Sequence, residues 1–309
     1  MGVDLNVAQL LVRARLTGVS FERMATLGRQ ELLAERADVI SLLRNAGYTL
    51  SSNCERKLTD PAERYAEEFF RVLGAKEITG IDASGYEGAR IVHDLNRPIP
   101  EALNSAFDLV LDAGTLEHIF NFPVAARNCL KMVRPGGRFI SCSPGNNFCG
   151  HGFYQFSPEL FYRLLSPANG HVLETCLIWE HVHGSKFYQM PDPDALAARI
   201  QLTSRARTYL FVQAKRVGEV PQELVLQQSD YVRCWNSLPV QDCQAGKPSR
   251  LRATLKKITP LRSAVQFARA LLRASALRPL KTEAWDRSRR LHRAPHAILT
   301  PLEDLRVRF

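Results

Sequence analysis

Short apolar segments alternate with helical and polar segments through the first two thirds of the chain. Segment 19–28 (VSFERMATLG) predicts a first strand, and two later segments, 171–180 (HVLETCLIWE) and 208–216 (TYLFVQAKR), also have the alternation of strands. Four segments between them are rich in Ile, Val, Leu or Phe and end in polar or turn-forming residues: EITGID (77–82), ARIVHDL (89–95), FDLVLDAG (107–114) and GRFISCS (137–143). Strands and helices at this spacing indicate parallel βαβ units in an α/β fold.

Helical periodicity fills most of the remaining length. The predicted helices span 4–17, 32–47, 61–73, 122–137 and 194–202. The helix over 61–73 has Asp60 as its predicted N-cap and Pro61 in its first turn, which are the residue types preferred at those positions. Residues 49–60 (TLSSNCERKLTD) are polar and predict a loop.

Composition places the chain among globular proteins. Its 309 residues are 45% hydrophobic and 23% charged, which suits one large domain or two smaller ones. No apolar run approaches the roughly 20 residues that span a bilayer, and Arg13 and Arg15 lie where a signal peptide would be apolar. The seven cysteines contain no CxxC pair, so we expect reduced thiols in a cytoplasmic protein.

The positive charge is concentrated near the C-terminus. The net charge is +10, and the only acidic residues beyond Asp242 are Glu283, Asp286, Glu303 and Asp304. We therefore divide the chain into a Rossmann-like domain over 1–218 and a basic helical C-terminal extension over 219–309. Segment 261–274 (LRSAVQFARALLRA) is amphipathic, which suits peripheral contact with a membrane surface or packing on its own domain.

Polar residues and glycine follow several predicted strands at the end where ligands bind to open parallel sheets. Gly28 follows the first strand, Asp82 the second and Asp94 the third, while 112–118 follow the fourth. A carboxylate at Asp82 can accept hydrogen bonds from both ribose hydroxyls. Asp94 can accept one from an adenine amino group, and Leu95 can stack on the ring. Each aspartate alone would more simply be a turn residue, but the combination favours a nucleoside site.

Three segments resemble motifs of the class I S-adenosylmethionine-dependent methyltransferases, in the type 11/23-like branch. They are LGAKEITGIDAS (73–84), FDLVLDAGTLEHI (107–119) and CLKMVRPGGRFISCSP (129–144), within a resemblance that covers residues 20–215. The resemblance implies a seven-stranded, mostly parallel sheet flanked by helices, with an antiparallel last strand at TYLFVQAKR. It implies an enzyme that uses S-adenosylmethionine, and the expected cofactor-binding residues are Leu27, Gly28, Gln30, Asp82, Asp94, Leu95, Asp112, Gly114 and Glu117.

The first motif of the family departs from its usual form in this chain. A single glycine in LGRQ (27–30) stands where the family has a GxGxG-type loop, and an extra segment precedes the helix that normally follows. One glycine still lets the backbone approach a ligand, and Gln30 can offer an amide to the amino-acid part of the cofactor. A non-catalytic relative of the family is therefore an alternative.

Two histidines are the candidate bases for an acceptor that must lose a proton, because methyl transfer otherwise needs mainly positioning. They are His118, after the fourth strand, and His151, in a loop rich in amides and aromatics. The residues expected to bind a polar acceptor such as a sugar are Asn146, Asn147, Tyr154 and Gln155. No metal is expected, because the pair His181 and His183 lacks a third ligand at a fitting spacing.

Three functions follow from these features. The first is methylation of an oxygen or nitrogen of a polar small molecule or glycan, in the cytoplasm or peripherally at the inner face of the membrane. The second is RNA methylation through the basic extension, which is less favoured because its arginines alternate with aliphatic residues such as Leu271 and Leu272 rather than with stacking aromatics. The third is a non-catalytic binding or scaffold module.

Overall fold

The computed structural model describes residues 2–181, 186–197, 199–200, 202–224 and 226–237. The chain forms two compact units, and the described residues of the first run from 2 to 230, while those of the second are 231–237. Most of the predicted basic extension, residues 238–309, lies outside the described part. Its helical character and its membrane contact therefore stay predictions.

The described part contains one eight-stranded sheet in the order β3-β2-β1-β4-β5-β8-β6-β7. Strands β1 to β5 pair in parallel, and β8 is antiparallel to both β5 and β6. The strands are β1 Arg23–Leu27, β2 Glu77–Asp82, β3 Ile91–Val92, β4 Phe107–Asp112, β5 Val133–Asn146, β6 His171–Glu180, β7 Tyr188–Gln189 and β8 Thr208–Arg216. The expected Rossmann-like sheet and its antiparallel TYLFVQAKR strand are confirmed, and the two-residue β7 is an addition.

The described residues also form helices. They are α1 Leu5–Leu16, α2 Arg36–Asn45, α3 Ser52–Thr59, α4 Glu67–Val72, α5 Phe122–Met132, α6 Pro158–Leu164, α7 Pro193–Leu196 and α8 Ser229–Ser237. None of the helices in the described residues combines the length and the hydrophobicity that a bilayer span requires.

The segment after β1 differs most from the sequence prediction. The predicted loop over 49–60 contains α3, which Ser51 caps by accepting a hydrogen bond from the Cys54 amide. The predicted helix over 61–73 begins only at Glu67, because the chain before it pairs with the loop that follows β1: the Leu32 amide donates to the Arg64 carbonyl. Long-range backbone pairing thus overrides the local helix signal.

Two hydrophobic clusters cover the two faces of the sheet. The alternation of side chains along β4 places Leu109 and Leu111 in the cluster with α1, α2 and α4, and Val110 in the cluster with α5. Every residue of β4 is buried, as expected for a central strand covered by helices on both faces. The result is a three-layered α/β/α unit.

The first compact unit includes described residues beyond 218, where the predicted domain boundary stays a prediction. Val220 is buried in the cluster that contains α5, and Leu224 and Leu226 pack against the same cluster. The Ser229 amide also donates to Glu159 Oε1, 2.7 Å away. Apolar contacts and this hydrogen bond therefore attach 219–230 to the first unit.

Candidate active site

The carboxyl ends of β1, β2 and β4 meet at Gly28. This residue has φ +68°, and its amide donates to the Ile81 carbonyl over 2.7 Å. A methyl group placed on Gly28 would lie 3.4 Å from Asp82 Oδ2 and 3.5 Å from Thr115 Oγ1. A side chain here would be strained by the left-handed backbone and would enter the space between these two oxygen atoms. The structure thus brings together Gly28 and Asp82, as the sequence predicts, and adds Thr115.

Two side chains hold the loop after β1 in place through one backbone carbonyl. The Leu27 carbonyl accepts from Gln30 Nε2 over 2.6 Å and from Thr115 Oγ1 over 2.7 Å. Gln30 is buried, so its amide nitrogen serves the loop rather than a ligand, while its Oε1 is without a hydrogen-bond partner. The Leu27 side chain is completely buried in the core, and its role as a cofactor contact stays a prediction.

Asp112 shapes the loop after β4 from inside the protein. Its Oδ1 accepts hydrogen bonds from the Thr115 and Leu116 amides, and its Oδ2 accepts from the Ser141 hydroxyl. Burial raises the pKa of Asp112, while these hydrogen bonds act in the opposite direction. The side chain has no exposed surface and its carboxylate oxygens accept hydrogen bonds within the fold, and a cofactor contact by Asp112 stays a prediction. Gly114, in the same loop, has φ +104°.

Asp82 and Asp94 lie at the same edge of the sheet. Asp82 pairs in register with Val92 of β3, and its carbonyl accepts from the His93 amide, one residue before Asp94. The Asp94 side chain is about half exposed, and its pKa is lowered by hydrogen bonds from Asn96. Leu95 is only 5% exposed and packs in the core. This burial leaves little surface for stacking on adenine, and that role of Leu95 stays a prediction.

A neighbouring cavity does not include these strand ends. It has a volume of about 540 Å³ and lies between β1, β2 and α4, with Arg29, Arg71 and Lys76 among its lining residues. Gly28, Asp82 and Asp94 are not in its lining. We therefore locate the candidate nucleoside site from the strand ends and not from this cavity.

A second cluster of polar groups follows β4. Glu117 lies in the 3₁₀ turn Leu116–His118 and is completely buried. Its Oε1 is 3.4 Å from His151 Nε2 and 4.0 Å from His118 Nε2. The two imidazole rings are 4.9 Å apart between centroids. Two candidate bases predicted from distant parts of the sequence thus share one carboxylate.

Burial shifts the protonation of all three groups. It raises the pKa of Glu117 well above its ordinary value, with a further contribution from the negative charge of Asp112. Burial lowers the pKa of His118, and burial together with the neighbouring His118 lowers the pKa of His151. Both imidazoles therefore favour the neutral form, which has a free nitrogen lone pair.

A glycine allows the loop that carries His151 to approach the 3₁₀ turn. Gly152 has φ +74°, and a Cβ atom there would be 2.8 Å from the Glu117 carbonyl oxygen and 3.1 Å from His118 Nδ1. The Phe153 amide donates to the same Glu117 carbonyl over 2.7 Å. The close contact of the two segments thus depends on the absence of a side chain at residue 152.

Three of the four predicted acceptor-binding residues are used within the fold. Asn147 Nδ2 donates to the Ala206 carbonyl, Gln155 Oε1 accepts from the Phe148 amide, and the Tyr154 hydroxyl donates to the Phe120 carbonyl. Asn146 ends β5 and pairs with Thr208. Asn147, Tyr154 and Gln155 thus help to shape the loop, and acceptor binding by the four residues stays a prediction.

Sequence reasoning missed four residues of this region, namely Thr115, Phe120, Gly152 and Phe153. The two phenylalanines are 71% and 66% exposed, respectively, and their rings are 5.8 Å apart. Large exposed aromatics next to buried polar groups are typical of ligand sites. Their positions two residues after His118 and His151 along the chain are a usable signal, but their exposure is not readable from the sequence.

Of His181 and His183, the pair from which no metal site is expected, the structure describes only the first. His181 Nδ1 lies 3.7 Å from Asp4 Oδ2, and His183 lies outside the described residues. In contrast, Glu117, His118 and His151 each offer a ligand atom, and these atoms lie within 4.8 Å of one another. These three residues are therefore a candidate metal site, although the sequence analysis expects no metal.

The solved structures that resemble this chain share little of its sequence. No protein-family model and no curated protein matches the chain. Among solved structures, the N-methyltransferase NodS from Bradyrhizobium japonicum is 14% identical with a TM-score of 0.37, covering 69% of this chain and 95% of that one. The 1,6-didemethyltoxoflavin-N1-methyltransferase of Burkholderia thailandensis is also 14% identical with a TM-score of 0.36, covering 69% and 78%. At these sequence identities and TM-scores, a shared function does not follow.

Proposed function

We propose that this chain is an S-adenosylmethionine-dependent methyltransferase that acts on an oxygen or nitrogen atom of an acceptor. The observation that carries the proposal is the meeting of three strand ends at Gly28, with Asp82 Oδ2 and Thr115 Oγ1 facing its open side. Ligands of open parallel sheets bind at this edge, where the strand order changes direction next to β1.

The cofactor side of the proposed site uses the neighbouring strand ends. Asp82 is suited to accept hydrogen bonds from the ribose hydroxyls, and Asp94, one strand further along the edge, from the adenine amino group. The cofactor would supply a methyl group bound to a positively charged sulfur. Since Gly28 lacks a side chain, the backbone after β1 can come close to the ligand.

The acceptor side of the proposed site lies at His118 and His151. A cofactor held at Gly28, Asp82 and Asp94 would offer its methyl group to an acceptor lone pair, and the electrons of the broken carbon–sulfur bond would stay on sulfur. A hydroxyl acceptor also loses its proton, and the two histidines are the groups that can receive it. Glu117 lies within 4.0 Å of both imidazoles, so we place it on this side and not with the cofactor.

The acceptor that we propose is a polar molecule with one apolar face, such as a sugar ring of a glycan. The exposed rings of Phe120 and Phe153 favour contact with an apolar or partly positive surface, which the C–H face of a sugar offers. The polar side of such an acceptor would face His118 and His151.

Calorimetric titration with S-adenosylmethionine and S-adenosylhomocysteine tests the cofactor site. We expect both to bind the intact chain and Asp82→Ala to weaken binding by at least about tenfold, the loss of about 1.4 kcal/mol that one charge-assisted hydrogen bond supplies. Asp38→Ala, an exposed aspartate of α2, is the matched control and should bind normally. An intact chain that binds neither compound would overturn the proposal.

A second pair of variants separates loss of the site from backbone strain. Gly28→Ala places a methyl group 3.4 Å from Asp82 Oδ2, whereas Gly47→Ala, at a similarly positive φ of +86°, meets no atom within 4 Å. Both should lose comparable stability, but only the first should lose cofactor binding. Transfer of a labelled methyl group into a cell extract then distinguishes an enzyme from a non-catalytic module that merely binds the cofactor.

A further inference from the structure

The carboxylate of Glu117 is completely buried, yet neither of its oxygen atoms has a hydrogen-bond partner. Leaving a carboxylate in this condition is strongly unfavourable unless a proton, a cation or a hydrogen-bond donor compensates. The side-chain nitrogen nearest to it in the cluster, His151 Nε2, is likewise buried and without a hydrogen-bond partner. Two unpartnered ligand atoms thus face each other inside the protein.

The third ligand atom belongs to His118. Its Nε2 is 4.0 Å from Glu117 Oε1, and the ligand atoms of the three residues all lie within 4.8 Å of one another. Ligands bound to a metal at about 2.0–2.2 Å are separated from one another by about 3.0–3.5 Å. The 3.4 Å between Glu117 Oε1 and His151 Nε2 already meets this requirement.

We propose that Glu117, His118 and His151 together bind one divalent first-row transition-metal ion. Two imidazole nitrogens and one carboxylate oxygen form a ligand set that suits Zn²⁺, Mn²⁺, Fe²⁺ or Co²⁺ and not the all-oxygen preference of Ca²⁺ or Mg²⁺. His118 is the ligand that must move inward, and with 45% of its side chain exposed it has the space to turn.

The surrounding chain supports this arrangement. Gly152 allows the His151 loop to lie against the 3₁₀ turn, and the Phe153 amide fixes that contact by donating to the Glu117 carbonyl. Two of the three ligands therefore have positions set by backbone hydrogen bonds, and preorganisation of this kind favours metal affinity.

Three protein ligands leave coordination positions open. Open positions are characteristic of catalytic rather than structural metal sites. Phe120 and Phe153 each lie two residues after a histidine ligand, so an acceptor resting on these exposed rings would have its polar atoms near the metal. A bound metal would then lower the pKa of an acceptor hydroxyl, a consequence that rests on the proposed methyl transfer, whereas metal binding itself does not.

The test is titration of the full-length, chelator-treated protein with ZnCl₂, CoCl₂ and MnCl₂ by calorimetry. We expect saturable binding of one ion per chain for at least one of the metals. Glu117→Gln and His151→Gln should each weaken that binding by at least about tenfold, since even losing a partner of a ligand has an effect of this size. The matched control is His181→Gln, which removes a histidine beside a carboxylate outside the cluster.

Two further variants keep the result interpretable. His118→Gln changes a half-exposed side chain, so it reports on metal binding even if the buried variants fail to fold, as judged by their circular dichroism and melting midpoints. Cys149→Ser shows whether the exposed thiol near His151 binds the metal instead.

The proposal is overturned if the intact chain shows no saturable binding of any of the three ions. It is equally overturned if the cluster variants bind as the intact chain does, which would leave a buried glutamate–histidine pair without a metal. Titration of the same preparation with S-adenosylhomocysteine keeps the two proposals apart. Metal binding without cofactor binding contradicts only the proposed methyl transfer, and cofactor binding without metal binding contradicts only the metal site.

Discussion

At the scale of single residues, two glycines determine which groups meet. Gly28 keeps open the space between Asp82 and Thr115, and Gly152 lets the His151 loop contact the turn that carries Glu117. The two glycines differ in how close the neighbouring atoms lie to the position of a Cβ atom. An added Cβ would make ordinary contacts at Gly28, but at Gly152 it would lie 2.8 Å from a backbone oxygen. Backbone atoms cannot turn away as a side chain can, so residue 152 is the more restricted position.

Replacement of Gly152 by alanine should therefore both destabilise the protein and displace His151. We expect a loss of about 1–3 kcal/mol in the free energy of unfolding, from the left-handed backbone and the clash with the Glu117 carbonyl. Urea denaturation measures the loss, and Zn²⁺ titration of the folded variant should show weakened binding.

Gly150→Ala is the control for this replacement. A Cβ at residue 150 meets no atom within 4 Å and the residue has no positive φ. Equal stabilities of the two alanine variants would contradict the close approach described at Gly152.

At the scale of elements, Arg216 joins the end of β8 to the beginning of β5. This arginine is only 5% exposed, and its Nη1 donates to the Val133 carbonyl over 2.6 Å and to Ser105 Oγ over 2.9 Å. Its contact with Glu219 at 3.6 Å adds little, because that carboxylate is 96% exposed. The hydrogen bonds to buried backbone, and not the ion pair, are what the side chain contributes.

Arg216→Met should cost about 2–4 kcal/mol of unfolding free energy, because it keeps an apolar chain of similar length but leaves the Val133 carbonyl without this donor. Lys215→Met changes the adjacent, exposed residue of β8 and should alter stability by less than about 0.5 kcal/mol. Denaturant unfolding of both variants provides the comparison. If the two variants lost a similar free energy of unfolding, the contribution of Arg216 would come from its positive charge and not from the described hydrogen bonds.

At the scale of the whole molecule, a buried histidine makes stability depend on pH. His171, the first residue of β6, has no exposed surface, and its Nδ1 lies 3.2 Å from the Asn169 carbonyl. Burial lowers its pKa to about 4, and the positive charge of Arg216 acts in the same direction. The folded protein therefore holds this imidazole neutral at pH values at which an unfolded chain would protonate it.

We expect the contribution of His171 to stability to be complete above pH 6.5 and to be lost as the pH falls from there to about 4. In that window the unfolded state binds more protons, so acidification favours unfolding by up to about 3 kcal/mol. Denaturant titrations at several pH values measure this dependence. His171→Gln, which does not titrate, should show a weaker dependence between pH 6.5 and 4, and an unchanged dependence would contradict the assignment.

The sequence by itself determined the strands and the edge at which they end. The segments 77–82, 171–180 and 208–216 are strands with the predicted bounds, because buried strands require a local run of apolar residues that is readable without tertiary information. The position of Asp82 and Asp94 at this edge was likewise predictable, since the direction of a parallel strand fixes the edge at which its last residue lies.

Only the tertiary structure decided how the polar side chains are used. Asp112 and Gln155 looked like ligand contacts in the sequence but hydrogen-bond within the fold, and the meeting of Glu117 with His151 depends on a glycine that carries no chemical signal of its own. The physical reason is that apolar burial follows periodic, local patterns, whereas a hydrogen bond or a metal ligand depends on which distant backbone segment arrives within about 3 Å.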